Sequence, residues 1–304
     1  MRRVRRGLAL LACLVTVAAC TGTPAAQPDA PATRIASPEQ AGGLDDLTPQ
    51  RYVALGDSFT AAPLVPTTDI SNGCFRSDRN YPSLLAASLD LRLRDVSCSG
   101  ATTGDLVRRQ RTVREASVPP QLRAVDPRAD LVTLGIGGND LGLFSSLVRT
   151  CLDLRRLDPQ GAPCAGSAVG RRLLAAAPTI GDHVRLAVER VQRRAPEARI
   201  VLVGYLRVAP SEGACPRLLP FARGDVAFGD RVLRALDGAL RDAADARGVD
   251  YLDAYALSEG HDVCSDQPWV NGQRTRAGIA LAFHPLAAGM RALATELEAL
   301  LAEG

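Results

Sequence analysis

The chain has 304 residues, 46% of them hydrophobic, with 36 basic side chains against 33 acidic and a formal net charge of +3. Every basic residue is an arginine, which excludes a lysine nucleophile or Schiff base. Four of the arginines (Arg2, Arg3, Arg5, Arg6) lie in the first 19 residues; without them 32 basic residues face 33 acidic ones, net −1, and the balance points to no nucleic-acid partner.

Those four arginines precede an apolar stretch, residues 8–17, too short to span a bilayer stably. Val17-Ala18-Ala19-Cys20 follows, and the pattern resembles a bacterial lipoprotein signal in which Cys20 takes the lipid and becomes the new N-terminus. An ordinary signal peptide cut near the same place is the alternative; either reading exports the protein. Residues 1–19 are therefore read as the signal, 20–48 as a Pro-, Ala- and Thr-rich tether, and 49–304 as one domain large enough for a real core. Six cysteines remain after Cys13 and Cys20: Cys74, Cys98, Cys151, Cys164, Cys215 and Cys264. An even number in an exported chain predicts three disulfides, although six cysteines allow fifteen pairings. No two of them stand at a Cys-x-x-Cys spacing, so no metal site is expected.

Along the domain, apolar runs alternate with helical periods. Residues 52–55 read as a buried strand that turns through Gly56-Asp57-Ser58 into a helix. A serine there is presented at the carboxyl edge of a sheet, and its N–H joins the unpaired donors of a helix N-terminus. Residues 63–80 show no period and are read as loop, 81–90 as a short helix, and 91–97 as a second strand. Helical pieces broken by prolines are expected over 105–128, a third strand over 131–136, and a closed loop over 150–165. A helix over 173–194, a strand over 199–205, a helix over 225–247, a strand over 249–252 and a last helix from about Pro285 complete the pattern. Strands separated by helices predict an α/β domain with a parallel sheet of about five strands covered on both faces. Ligands then bind outside the carboxyl ends of the strands.

Four stretches fall at those ends or just before the last helix: Gly56-Asp57-Ser58, the Cys98–Asp105 run CSGATTGD, the Gly135–Asp140 run GIGGND, and Ala282-Phe283-His284-Pro285. Together they supply a serine, glycine N–H groups, an asparagine amide and a histidine, a set that suits acyl transfer. Asn139 and Asp140 could equally cap a helix, and Asp140 is read as structural; Asp57 is expected to hydrogen-bond its turn. Of the three histidines, His183 is expected to be solvated and His261 to lie on a rim, with His284, before a proline at a helix start, the first candidate for the base and His261 the second.

With all four blocks in order over residues 50–300, the chain resembles an SGNH hydrolase of the GDSL esterase/lipase superfamily, in particular its secreted bacterial three-disulfide branch. The resemblance implies a flavodoxin-like three-layer α/β/α fold and ester hydrolysis without cofactor or metal. It also implies Ser58 as nucleophile, His284 as base, and an oxyanion hole from the N–H groups of Ser58 and Gly100 and the Asn139 side chain. The branch pairs its cysteines in sequence: Cys74–Cys98, Cys151–Cys164, Cys215–Cys264. One departure stands out. The superfamily places Asp three residues before this histidine, where the chain has Leu281, and residues 278–283 hold no carboxylate. A backbone carbonyl, that of Leu281 or Ala282, is expected to orient the ring instead. The expected substrate is an acyl ester or lipid, the expected partner a membrane reached through the N-terminal lipid, and the expected state a monomer. A carbohydrate deacetylase and a non-catalytic surface ligand-binding lipoprotein are the alternatives.

Overall fold

The computed structural model describes residues 50–303; the expected signal, Cys20 and the expected tether lie outside the described residues. In chain order the elements begin with β1 (Arg51–Gly56), α1 (Ser58–Ala61), β2 (Thr68–Asp69), β3 (Arg76–Ser77), α2 (Tyr81–Ser88) and β4 (Arg92–Asp95). Next come β5 (Gln110–Arg111), β6 (Ser117–Val118), β7 (Leu131–Gly135), α3 (Leu143–Leu154), α4 (Ala168–Arg194) and β8 (Arg199–Val203). The chain ends with α5 (Arg223–Asp245), β9 (Asp250–Leu252), α6 (Ala254–Leu257) and α7 (Ala287–Ala302).

Five strands form one parallel sheet in the order β4-β1-β7-β8-β9, the flavodoxin-like arrangement expected. β1 and β7 are buried on both faces and read as continuous apolar runs, whereas the edge strand β4 alternates exposed arginines with half-buried residues. Helices cover the sheet in two groups: α4 packs on α5 and α3, and α2 packs on α7. Caps fix where they begin. The Asn80 side chain accepts from Ser83 N ahead of α2, and Ser167 accepts from Gly170 N ahead of α4. Buried Asp225, in the first turn of α5, accepts from Cys164 N and Ala165 N and so ties the disulfide loop to that helix.

The cysteines pair as Cys74–Cys98, Cys151–Cys164 and Cys215–Cys264. Local differences from the sequence reading have physical reasons. The stretch 63–80 contains the β2–β3 hairpin, whose strands are too short to carry a period. Over 105–128 the expected helical pieces are 3-10 turns, Thr103–Leu106 and Gln121–Ala124, with the β5–β6 hairpin between them. The closed loop expected over 150–165 starts instead inside α3, whose buried Leu143, Leu147 and Cys151 stand at the four-residue spacing of one helix face. The second strand is shorter than expected, and the last helix starts two residues beyond Pro285.

Candidate active site

β1 delivers Ser58 to the carboxyl edge of the sheet. Asp57 caps α1, its Oδ1 accepting from Phe59 N at 2.9 Å while its own N–H bonds Gly135 O at 3.0 Å, so the turn is pinned between two central strands. The Ser58 N–H makes no hydrogen bond among the described residues. Its Oγ lies 2.8 Å from Nε2 of His284. On the other side of that ring Nδ1 lies 2.7 Å from the carbonyl oxygen of Ala282. Of the two candidate carbonyls it is therefore Ala282 that faces the ring. The Leu281 oxygen instead accepts from Asn271 Nδ2 at 3.0 Å and from His284 N at 3.2 Å.

The loop that carries His284 is held from behind. Asn271, buried, donates its side-chain amide to the carbonyls of Arg274, Ala280 and Leu281 and its backbone N–H to the His284 carbonyl. Between Ala282 and His284, Phe283 sits at φ 57°, a region that costs a non-glycine residue about 1 kcal/mol or more. Its buried ring and its N–H bond to Gly272 O hold it there, and this turn lets the carbonyl of residue 282 meet the ring of residue 284. Phe59 and Phe144 pack on the imidazole, with centroids at 5.4 and 6.2 Å. Burial lowers the His284 pKa to about 4, opposed by the Ala282 carbonyl.

Gly100 and Asn139 occupy neighbouring loops. Gly100 has φ +79°, which glycine adopts without steric cost, and its N–H is unpaired among the described residues. The Asn139 amide donates to Ala101 O at 3.1 Å and lies 3.4 Å from Asp57 Oδ2. Gly104, four residues beyond Gly100, lies in a 3-10 turn. Beneath them the Tyr205 hydroxyl donates to Asp57 Oδ2 at 2.6 Å and accepts from Gly138 N at 2.7 Å. A side chain at position 138 would place its Cβ 2.9 Å from the Tyr205 ring, so a glycine is required there. Burial raises the Asp57 pKa to about 7, opposed by the Tyr205 and Phe59 donors.

An apolar pocket opens at Ser58 and Asn139, walled by Phe59, Leu143, Phe144, Leu206, Leu233 and Leu236. His261 is placed elsewhere: it stacks on Trp269 at 4.0 Å and its Nδ1 faces Gln267 O. His183 is partly exposed, its side chain keeping 40% of its accessible surface, but it also makes a contact the sequence did not suggest. Its Nδ1 lies 3.0 Å from Asp140 Oδ2, because the face of α4 that carries it turns toward the Asn139 loop. Asp140 and Asn139 do not cap α3 with their side chains, since Leu141 at φ 55° separates them from that helix. The sequence reading did not single out Tyr205, Asn271, Phe144 or Thr103. Tyr205 had a visible signal, as it follows the apolar run that becomes β8. Asn271 had none.

The model of the GDSL-like lipase/acylhydrolase family matches residues 54–292. The chain belongs to this family. It is 37% identical over 240 residues to Lipase 2 of Streptomyces coelicolor, a match spanning 77% of each protein. To a lipase of Streptomyces rimosus it is 31% identical over 248 residues, spanning 78% of this chain and 81% of that one. Among solved structures, phospholipase A1 of Streptomyces albidoflavus superposes with a TM-score of 0.69 at 27% identity, over 83% of this chain and 99% of that one. The extracellular lipase of Streptomyces rimosus gives 0.68 at 28% identity, over 82% and 99%. The chain is thus a GDSL-type ester hydrolase, an enzyme of the esterase and lipase class.

Proposed function

We propose that the enzyme cleaves acyl esters through a covalent Ser58 intermediate, with His284 as general base. The observation that carries this is the 2.8 Å approach of Ser58 Oγ to His284 Nε2, with Nδ1 of the same ring on the Ala282 carbonyl. That carbonyl keeps the proton on Nδ1 and leaves Nε2 free to accept one. As Oγ attacks the ester carbon, Nε2 takes its proton. The oxyanion receives the N–H groups of Ser58 and Gly100 and the amide of Asn139, one such donor being worth about 3 kcal/mol. Collapse expels the alcohol, protonated by the imidazolium, and leaves the acyl group on Ser58. Water, deprotonated by His284, then releases the acid and restores the serine.

The wall of the pocket beside Ser58 is apolar, which suits the acyl part of an ester, and the similarity to Streptomyces lipases favours a lipase or esterase over a carbohydrate deacetylase. No metal or cofactor takes part in these steps, and the enzyme acts as a monomer. Export and membrane attachment through Cys20 follow from the N-terminal pattern, outside the described residues. Among the described residues no helix is long and apolar enough to cross a membrane.

Ser58→Ala is expected to abolish hydrolysis of a p-nitrophenyl ester series while leaving the melting temperature within a few degrees, and a fluorophosphonate is expected to label Ser58. Labelling at another residue, or turnover surviving in Ser58→Ala, would refute the assignment.

A further inference from the structure

Asp140 follows the proposed oxyanion donor Asn139, yet it does not cap α3 and its side chain is buried. Its Oδ1 accepts from Thr103 N at 2.8 Å, and its Oδ2 receives the Thr103 hydroxyl and Nδ1 of His183, the latter at 3.0 Å. Thr103 stands three residues after Gly100, in the other loop of the hole. The two loops are therefore joined twice, by Asp140 to Thr103 and by the Asn139 amide to the Ala101 carbonyl at 3.1 Å. Ala101 N bonds Cys98 O, and Thr102 is fixed by Asp105, so the segment between the joints has little freedom of its own. A carboxylate has the acceptor capacity for all three donors; an asparagine oxygen does not.

We propose that Asp140 is a positioning residue, a clamp that sets the Gly100 N–H and the Asn139 amide at the separation one oxyanion requires, with His183 of α4 as its outer support. The proposal rests on the oxyanion assignment made above. Such a clamp acts on the transition state and not on substrate binding, because the donors must meet the tetrahedral oxygen and not the ground-state carbonyl. It also makes the residues non-additive: once the loops part, the amide of Asn139 no longer reaches the oxyanion and its removal costs little.

The test is a double-mutant cycle on p-nitrophenyl ester hydrolysis by the full chain. Asn139→Ala alone is expected to lower kcat about 100-fold, the weight of one oxyanion donor. Asp140→Ala is expected to lower kcat by about the same factor with KM within about twofold, and Asn139→Ala in that background to cost less than about fivefold. If Asp140→Ala does not fold, Thr103→Val removes one arm and keeps the others; kcat is then expected to fall about tenfold at unchanged KM, again with a reduced cost of Asn139→Ala. A full cost of Asn139→Ala in either background, or a KM that rises in step with the fall in kcat, overturns the clamp and leaves Asp140 as a fold-stabilising residue alone. A wild-type background in which Asn139→Ala costs nothing overturns the oxyanion assignment and the clamp with it.

Discussion

As the proposed base, His284 works only while neutral, so its titration is expected to set the acid limit of the reaction. An exposed imidazole titrates near ~6.5, which is where the sequence alone would put the fall in activity. Phe59 and Phe144 strip water from the ring, and burial pushes its pKa down to about 4. The sign follows directly: lowering the pKa keeps the ring neutral over more of the acid range. The residue is only half-buried, so about 4 is the lower bound of the midpoint. The acid limb of kcat/KM is expected below pH 6, moving upward in Phe144→Ala as water returns. A midpoint at or above 6.5 in the wild type would refute a desolvated base. An additional inflection near 7 would belong to Asp57, raised to about 7 by its burial, and would vanish in Asp57→Asn.

At the scale of elements, the site is assembled from loops, and disulfides stiffen those loops. Cys74–Cys98 closes 24 residues and anchors the end of the β4 crossover just before Gly100; Cys215–Cys264 closes 49 and Cys151–Cys164 closes 13. Loop-closure entropy assigns them about 3.5, 4 and 3 kcal/mol, so the double Cys→Ala variants should lose stability in the order Cys215–Cys264, Cys74–Cys98, Cys151–Cys164. Activity should follow a different order. Ser99 N bonds the Cys74 carbonyl and Cys98 N bonds Gly56 O, so the Cys74–Cys98 bridge is coupled to both Ser58 and Gly100. Its loss is expected to lower kcat below the melting transition, whereas loss of Cys151–Cys164 should leave kcat within about twofold. Denaturant unfolding beside turnover at a permissive temperature separates the two effects; equal kcat losses at both bridges would contradict this reading.

For the whole molecule, the sheet explains why so few residues carry the chemistry. β1 and β7, adjacent and buried on both faces, bring Ser58 and Asn139 together at their carboxyl ends, while α7 follows the loop that returns His284 to the same edge. The proposed export and lipid anchor rest on a different part of the chain, its N-terminal pattern. With Cys20 lipidated, the wild type should sediment with membranes and take up labelled fatty acid, while Cys20→Ala should appear unlabelled in the medium with unchanged turnover per molecule. Equal release of both proteins would favour an ordinary signal peptide.

The order of strands and helices was legible in the sequence because buried parallel strands are continuous apolar runs and covering helices keep a 3.6-residue period. Ser58, Gly100, Asn139 and His284, the proposed site residues, could be singled out because each stands in a short block at a strand end or helix start. The helix α3 was not read from the sequence, although Leu143, Leu147 and Cys151 stand at helical spacing, because the two cysteines and the prolines after it suggested a loop. Other features depend on contacts between residues far apart in the chain. Which carbonyl orients His284 depends on Asn271 occupying that of Leu281 and on Phe283 holding a left-handed turn. The contact of His183 with Asp140 joins residues 43 apart, and that of Tyr205 with Asp57 joins residues 148 apart. Periodicity and motifs report local preference and burial. A hydrogen bond between distant loops leaves no period in the sequence, so only the packed tertiary structure decides it.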